Sequence, residues 1–386
     1  MKRKTVRKIL ALMTVLGMAL TMSACSSGSE EEAVPTTSPE AVVTAEPTAT
    51  PEPTVTPEPT ATPFSNVKEN GAINPNDKTN LITGEDTLTD EAKGKRSVAV
   101  MVNNALASLP QYGISSADLI YEIPVEGDIT RLMAVYGDIT QVPDMCSIRS
   151  CRYYYPILAV GMDSVYIHWG IDPTVATETV NNLDIDRLDG NYYTYDLFDR
   201  DQERLDEGYA LEHTSVFYGT KLYQALTEND VRTDLKEGYT DTLFQFSPEK
   251  IKASGNDCNE ATVTFCDEYY STFKYDSEKD VYYKEFSGNA HIDGKTEEQL
   301  NFTNVLFLET EIGYLPDDTS GRRQIDVNQT DAKGYLMTGG RVQEIKWSKD
   351  GDYSKIKIYD QDGNELLINT GKTYIAICNP DSESFN

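Results

Sequence analysis

Three arginines in the first half of the chain have the side-chain type and the spacing that anion binding requires. Arg131 follows the turn Gly127-Asp-Ile-Thr, and Arg149 and Arg152 are three residues apart, the spacing at which side chains at the start of a helix share one face. A guanidinium is planar and binds two oxygens of a phosphate or carboxylate at once. Three guanidiniums at the carboxyl end of an α/β sheet would therefore form a pocket for such an anion.

Polar neighbours extend this hypothetical site and also supply the alternative to it. Glu122 and Glu126 precede the arginines, and His168 ends a later strand beside Trp169. We include both glutamates and His168 in the predicted ligand-binding set. The alternative is a structural network in which the three arginines pair with Glu122, Glu126 and Asp118, because a chain this acidic places carboxylates near every arginine. The sequence leaves both interpretations open.

The sequence contains no recognisable catalytic or metal-binding motif. Gly-x-Ser-x-Gly and glycine-rich phosphate-binding loops are absent. With only three histidines in the chain, a zinc site has little support. His168 and His213 could act in acid–base chemistry, but a histidine hydrogen-bonded in the core or at a helix cap is the favoured interpretation. We predict no cofactor and no metal, leave the catalytic residues unknown, and favour a non-enzymatic protein.

The elements that would position these residues alternate between strands and helices. Ser97–Asn103 is a continuous apolar run, which is typical of a buried central strand. Further strands are predicted at residues 118–124, 132–136 and 164–168, and helices at residues 150–160, 174–183 and 220–228. This alternation predicts an α/β domain over residues 95–240.

The second half, residues 241–386, has a different pattern. Short segments rich in β-branched and aromatic residues are separated by Asp-Gly, Gly-Gly and Asn-Thr-Gly turns. Strands are predicted at residues 262–265, 272–275, 281–284, 304–308, 334–337, 341–347, 354–359 and 373–377. The predicted fold class is therefore an α/β N-terminal domain followed by a mostly antiparallel β (α+β) C-terminal domain.

The N-terminus predicts export and lipidation. A positively charged start, Lys2 to Lys8, precedes an apolar run from Ile9 to Met22 that is too short for a transmembrane helix. The run ends in Met22-Ser-Ala-Cys25, the pattern of a lipobox. Residues 1–24 are therefore predicted to be a lipoprotein signal peptide, and Cys25 the lipidated residue. An ordinary signal peptide whose cleavage site adjoins a cysteine is the alternative. The predicted location is the extracytoplasmic face of the cell membrane, with the lipid as anchor.

Residues 25–94 are predicted to form a tether rich in proline, threonine and glutamate. As far as about Lys68 the segment has too little apolar surface to fold, and its prolines favour an extended, semi-rigid spacer. Residues 70–95 are polar and rich in turns, and we expect them to lie loosely on the folded part.

The net charge of −29 repels nucleic acid, so no nucleic-acid partner is predicted, and any anion site must be a local basic pocket.

Five cysteines besides Cys25 leave the redox state open. They are Cys146, Cys151, Cys258, Cys266 and Cys378. The first two flank a short turn-like stretch, the third and fourth could face each other across a hairpin, and export permits disulfides. Because no pair has the CxxC spacing of a redox site, we interpret these residues as core or bridge cysteines.

Several segments occur in an order that resembles a known family. They are Val98–Asn104, Gly113–Glu122, Glu126–Arg131, Ile148–Arg152, Gly334–Val342, Lys346–Trp347 and the stretch from Tyr359 to Tyr374. Together they resemble the YerB-like bacterial lipoproteins, which consist of an N-terminal and a C-terminal domain of unknown function. The resemblance covers nearly the whole chain from about residue 95 and agrees with the lipobox, but it implies no activity. One departure, Cys146-Ser-Ile where related sequences tend to have Gly-Pro-Val, changes how the chain approaches Arg149.

Three functions from different classes remain. The preferred one is a binding or scaffolding module of the cell envelope, whose arginine-lined pocket takes an anionic small ligand or the carboxylates of an envelope protein partner. The alternative is a phosphotransferase acting on polyprenyl-phosphate-linked wall precursors, since the arginines faintly resemble those of LytR–CpsA–Psr wall-polymer ligases. A wall hydrolase would need paired carboxylates such as Glu122 and Glu126. A long apolar groove beside the arginines would favour the phosphotransferase, and a shallow, open sheet edge the binding module.

Overall fold

The computed structural model describes residues 71–386. The predicted signal peptide, the lipidation at Cys25 and most of the predicted tether lie outside these residues. The described residues belong to one compact unit.

The first half contains eight strands and four α-helices within the described residues, besides several single turns of 3-10 helix. The strands are β1 (Val98–Asn103), β2 (Leu119–Pro124), β3 (Thr130–Tyr136), β4 (Asp144–Cys146), β5 (Val165–His168), β6 (Arg187–Asp189), β7 (Phe198–Arg200) and β8 (Ser215–Tyr218). The helices are α1 (Tyr154–Val160), α2 (Val175–Asn182), α3 (Gln202–Asp206) and α4 (Leu222–Glu228). As predicted, β1 is buried along its whole length.

The second half consists of strands without an α-helix between residues 241 and 386, all of which are described. The longer strands are β11 (Glu260–Cys266), β12 (Tyr269–Asp276), β13 (Val281–Phe286), β16 (Asn304–Glu309), β19 (Ala332–Thr338), β20 (Arg341–Ser348) and β23 (Thr373–Cys378). The short ones are β9 (Gln245–Ser247), β10 (Asn256–Asp257), β14 (Asn289–Ala290), β15 (Asn301–Phe302), β17 (Ile312–Tyr314), β18 (Arg323–Ile325), β21 (Lys357–Tyr359), β22 (Leu367–Asn369) and β24 (Glu383–Phe385). The predicted fold class is confirmed.

One sheet of 11 strands runs through both halves of the chain. Its order is β10-β20-β19-β16-β23-β2-β3-β1-β5-β6, with β21 beside β20. The two halves meet where β2 pairs in parallel with β23, Leu119 opposite Thr373 and Glu122 opposite Ala376. The strands β1, β5 and β6 are also parallel, so their carboxyl ends lie at the same edge of the sheet. Since strands of both halves share one sheet, the structure does not divide the chain at residue 240, and the domain boundary stays a prediction.

The large sheet is covered on both faces, as a sheet with buried central strands must be. Successive side chains of β1 alternate between two apolar clusters, with Val100 on one face and Met101 on the other. The face with Val100 packs against a six-stranded antiparallel sheet, β14-β13-β12-β11-β24 with β15 beside β13. The face with Met101 packs against α1 and α2. We call these the sheet-covered face and the helix-covered face.

The segment before β1 is packed more closely than the sequence predicts. Asn80, Ile82 and Thr83 are buried. The Asn80 side chain donates a hydrogen bond of 3.0 Å to Asp118, and the carbonyl of Leu81 accepts one of 2.7 Å from the Leu243 amide. The expectation that residues 70–95 lie loosely on the folded part is therefore wrong, because their few apolar side chains are used as packing groups.

All five cysteines of the described residues are free thiols. Cys146, Cys151, Cys258 and Cys378 are buried, whereas Cys266 is half-buried. Of the two interpretations left open by the sequence, the structure therefore favours core residues over disulfide bridges. Burial raises the pKa of the Cys146 and Cys151 thiols to about 12, so neither is a reactive thiolate at neutral pH.

Candidate functional site

A hairpin places the first arginine beside its glutamate. The strands β2 and β3 pair antiparallel, and the turn Glu126–Asp128 joins them. Gly127 takes a φ of 76° in this turn, and the Val125 amide donates a 2.9 Å hydrogen bond to the carbonyl of Ile129. The side chains of Glu126 and Arg131, at the turn end of the hairpin, are thereby brought within hydrogen-bonding distance.

The loop between β4 and α1 brings the other two arginines to the same edge. The Arg149 amide donates to the carbonyl of Met101 in β1 (3.0 Å), and its carbonyl accepts from the amide of Trp169, just after β5 (3.1 Å). The Cys151 amide donates to the carbonyl of Gly170 (2.9 Å). The loop therefore crosses the carboxyl ends of two parallel strands, where α/β sheets place their ligands. The helix predicted from residue 150 begins only at Tyr154, so the expected shared helix face of the two arginines was wrong.

Arg131, Arg149, Arg152 and Glu126 together form what we call the arginine cluster. Glu126 accepts hydrogen bonds from Arg131 Nη2 at 3.0 Å and from Arg152 Nε at 2.7 Å, and Arg152 Nη2 makes a further short contact with it. Arg131 Nη1 donates to the carbonyl of Ser150 at 2.7 Å, and Arg152 Nη1 to that of Cys151 at 2.7 Å. One carboxylate is thus shared by two guanidiniums.

Arg149 differs from the other two arginines of the cluster. Its guanidinium has no hydrogen-bond or ion-pair partner among residues 71–386, and its Nε is buried without an acceptor. The charges that act on it are those of Glu212, Arg152, Glu126 and Arg200. Arg131 Nε is also buried without an acceptor. Buried guanidinium N–H groups without acceptors are uncommon, because each carries an unrecovered desolvation cost.

The pKa values follow from this crowding of like charges. Burial, and then the charge of Arg152, lower the pKa of Arg131 to about 10. Burial also lowers the pKa of Arg149. Burial alone would raise the pKa of Glu126, but the hydrogen bond from Arg152 and the charges of both arginines outweigh it and bring the pKa to about 2. Glu126 is therefore ionised at neutral pH, and the cluster keeps a positive surplus.

Glu122 does not join the arginine cluster. It lies on the sheet-covered face, whereas its neighbour Ile123 and the paired Arg131 lie on the helix-covered face. Glu122 is fully buried and lies 3.2 Å from the ammonium of Lys284 in β13. Four further groups donate hydrogen bonds to it: Asn104, Thr130, Ser271 and Tyr374. We call this set the glutamate network. The prediction that Glu122 belongs with the arginines was therefore wrong, and Glu122 does not form with Glu126 the carboxylate pair that a wall hydrolase would need.

The two candidate histidines are held as neutral structural groups. His168 is fully buried; its Nε2 accepts from Arg187 (3.3 Å), which fixes the proton on Nδ1, and Nδ1 donates to the carbonyl of Gly170 (2.9 Å). Burial lowers the pKa of His168 to about 4. His213 makes a 2.9 Å hydrogen bond with Asn103, and burial lowers its pKa as well. No hydrogen bond links His168 to the arginine cluster, so its inclusion in the predicted site is not supported by the geometry.

Sequence reasoning missed Arg200, which lies beside an aromatic surface near the cluster. Arg200 in β7 lies with its guanidinium 4.2 Å from the ring centre of Trp169. Trp169 contacts Tyr193 edge-on at 5.6 Å, and Tyr192 is 78 % exposed. The Tyr153-Tyr154-Tyr155 run, in contrast, is largely buried core. Nothing in the sequence links residue 200 to residue 149, because only the sheet order brings β7 and the loop together.

The chain is similar to proteins of one family over most of its length. Residues 82–232 match the N-terminal domain and residues 261–375 the C-terminal domain of DUF3048, a protein of unknown function. YerB, a candidate lipoprotein of Bacillus subtilis (strain 168), is 28 % identical over 313 residues, which are 75 % of this chain and 83 % of YerB. The chain belongs to the YerB-like family. The crystal structure of Bacillus subtilis YerB superposes with a TM-score of 0.68 and 26 % identity, covering 79 % of this chain and 98 % of that one.

Membership of the family confirms the resemblance of the sequence segments and supports the assignment as a lipoprotein. Within residues 71–386 no helix is both long enough and apolar enough to cross a membrane. A lipoprotein is attached to the membrane by its acyl chains, and a spanning helix is not required.

Proposed function

We propose that this protein is a lipid-anchored module on the extracytoplasmic face of the membrane that binds a phosphate or carboxylate group at the arginine cluster. The acyl chains on Cys25 hold it, and the segment after Cys25 is the spacer. The bound anion belongs to a small envelope ligand or to an acidic partner protein.

The unpartnered guanidinium of Arg149 carries this proposal. The arginines of the cluster have one hydrogen-bonded carboxylate, Glu126, which is engaged by Arg131 and Arg152, whereas Glu212 acts on Arg149 only through its charge. Arg149 therefore has unused donors at an edge where one anion would satisfy them and reduce the repulsion from Arg152. Because the chain has a net charge of −29, this surplus is a local feature that works against the overall field.

The shape of the neighbourhood favours binding over the phosphotransferase alternative. The cavity beside Arg152, lined also by Tyr154 and Arg323, has a volume of only about 10 Å³, roughly that of one water. A polyprenyl chain would need a long apolar groove there. The two candidate histidines, His168 and His213, are hydrogen-bonded and neutral. A binding module that takes one anion at the edge of the sheet needs no such groove.

Thermal unfolding with and without inorganic phosphate tests the anion site. The protein is the unlipidated Cys25→Ser chain, which needs no detergent, and chloride at equal ionic strength is the reference because screening alone changes the stability of so acidic a chain. Phosphate should raise the Tm of this chain by mass action, and Arg149→Ala should abolish the rise.

Two control variants define the result. Arg149→Lys keeps the charge but loses the planar fork, so a reduced response is expected. Arg341→Ala, which removes an arginine that contacts Asp257 at 3.3 Å in the second half, should leave the phosphate response unchanged. If phosphate and chloride act alike on the parent chain, or if Arg149→Ala keeps the full response, the arginine cluster is not an anion site.

Cell fractionation tests the anchor. The wild type should remain with the membranes after a high-salt wash, since a covalent lipid is insensitive to ionic strength. Cys25→Ser should release the chain into the medium or leave it unprocessed. Normal processing together with membrane retention of Cys25→Ser would rule out lipidation at this residue.

A further inference from the structure

A cavity of about 270 Å³ lies beneath the segment that precedes β1, away from the arginine cluster. Its other walls come from the residues just after β3 and α1, the region after α4 and the loop before β21. The apolar side chains that line it include Leu81, Ile82, Leu88, Met162, Leu235 and Leu243. Ligand pockets of proteins have volumes of about 300–1,000 Å³. A cavity of this size and lining is therefore suited to a short apolar molecule.

Three charged side chains line the cavity, and two of them are neutralised by ion pairs. Asp77 lies 3.0 Å from the ammonium of Lys93, and Lys95 lies 2.6 Å from the carboxylate of Asp234. Lys355 is the exception, because no carboxylate of the described residues lies within 4.0 Å of its ammonium. The ion pairs of the walls therefore leave one positive charge uncompensated.

The ammonium of Lys355 is held in place by the backbone. Its Nζ donates to the carbonyl of Asp241 at 2.5 Å and to that of Thr242 at 3.4 Å. An ammonium has three N–H donors, so one donor has no acceptor among the described residues. Burial lowers the pKa of Lys355 to about 8, against the opposing effect of Asp241. A bound anion would stabilise the charged form.

We propose that this cavity binds a short aliphatic molecule with a single carboxylate, whose chain packs against the leucines and whose carboxylate pairs with Lys355. The apolar walls favour the chain because its transfer from water is favourable. The uncompensated ammonium selects an acid over an alcohol or an amine of the same length. This site shares no residue with the arginine cluster, so the two proposals are tested independently.

Calorimetric titration of the unlipidated Cys25→Ser chain with octanoate tests the proposal, with 1-octanol and octylamine as matched probes. Octanoate should bind at least about tenfold more tightly than octanol, the selectivity expected from one hydrogen bond to a charged group. Lys355→Met should abolish this preference while octanol binding is retained. Lys346→Met is the matched control, since that ammonium also donates to a backbone carbonyl, of Gln361 at 2.8 Å, but lies elsewhere.

A second variant keeps the test decisive if Lys355→Met does not fold. Leu88→Trp fills the cavity from its half-buried rim and should abolish binding of octanoate and octanol together. Octanoate that binds no better than octanol to the parent chain would overturn the proposal. So would an unchanged preference in Lys355→Met, or unchanged octanoate binding in Leu88→Trp.

Discussion

Two groups of charged side chains lie on opposite faces of the β2–β3 hairpin, and they differ in how well their charges are matched. In the glutamate network, both carboxylate oxygens of Glu122 accept two hydrogen bonds each, and Lys284 supplies the opposite charge. In the arginine cluster, Glu126 is outnumbered by three guanidiniums. Glu122 and Lys284 are fully buried, whereas Glu126 and Arg152 are partly exposed.

The difference separates a structural role from a binding role. The glutamate network joins the two halves of the chain, since Glu122 comes from β2 and its partners Ser271, Lys284 and Tyr374 from the second half. Lys284 in turn contacts Nδ1 of His291 at 3.0 Å, and Nε2 of His291 contacts Gln111 at 2.9 Å. A buried network with every member satisfied specifies one packing of the core. A cluster with unused donors at an edge is completed by a ligand.

Breaking the glutamate network should have the largest effect on stability. Glu122→Gln removes the negative charge and leaves the ammonium of Lys284 buried without a counter-ion, which costs roughly 3–5 kcal/mol for a buried pair. The free energy of unfolding from denaturant titration measures this loss. The phosphate response should be unchanged, because no hydrogen bond or ion pair links Glu122 or Lys284 to the arginine cluster.

The double variant Glu122→Gln, Lys284→Met is the matched control. It removes both charges, so its loss should be smaller than the sum of the two single losses. An additive result would show that the two residues act independently. The proposed difference between the glutamate network, whose charges are matched, and the arginine cluster, whose charges are not, would then be wrong.

The sequence predicted the local elements well because their signals are local. The apolar run of β1 and the turn residues of the second half indicate strands whatever their neighbours are. The pairing of β2 with β23 was not predictable in this way, since it joins residues about 250 positions apart and any buried apolar strand could take that place. The shared sheet is therefore a property of tertiary packing.

Only part of the candidate site was predicted, because residue type is a local signal whereas the convergence of side chains depends on tertiary packing. Alternation along β2 places Glu122 and Ile123 on opposite faces, but the sequence does not say which face meets the arginines. The turn at Gly127 then moves Glu126 off strand β2, so the alternation that sets the face of Glu122 does not apply to Glu126. The arginines themselves were found by residue type, and their convergence depends on the loop that crosses β1 and β5.

Removing the carboxylate from the arginine cluster should have a smaller effect than breaking the glutamate network. Glu126→Gln leaves three guanidiniums without an acid, but the side chain of Glu126 is 24 % exposed, so water and ions screen part of the repulsion. A loss of roughly 2–3 kcal/mol in the free energy of unfolding is expected. Phosphate should restore more stability to Glu126→Gln than to the parent chain, because it replaces the missing negative charge.

The pH dependence of the same pair of chains shows whether Glu126 acts through its charge. The pKa of Glu126 falls from an ordinary 4.5 to about 2, so its stabilising contribution is present above pH 4.5 and is lost as the pH falls towards 2. The full contribution is on the order of 3 kcal/mol, at about 1.4 kcal/mol for each pH unit of the shift.

Many other carboxyl groups titrate in this range, and the difference in unfolding free energy between the parent chain and Glu126→Gln, both in phosphate-free buffer, cancels their common effect. That difference should be constant above pH 5 and shrink as the pH falls towards 2. A difference that does not change with pH would mean that Glu126 stabilises the cluster by packing, and that the arginines need no counter-charge.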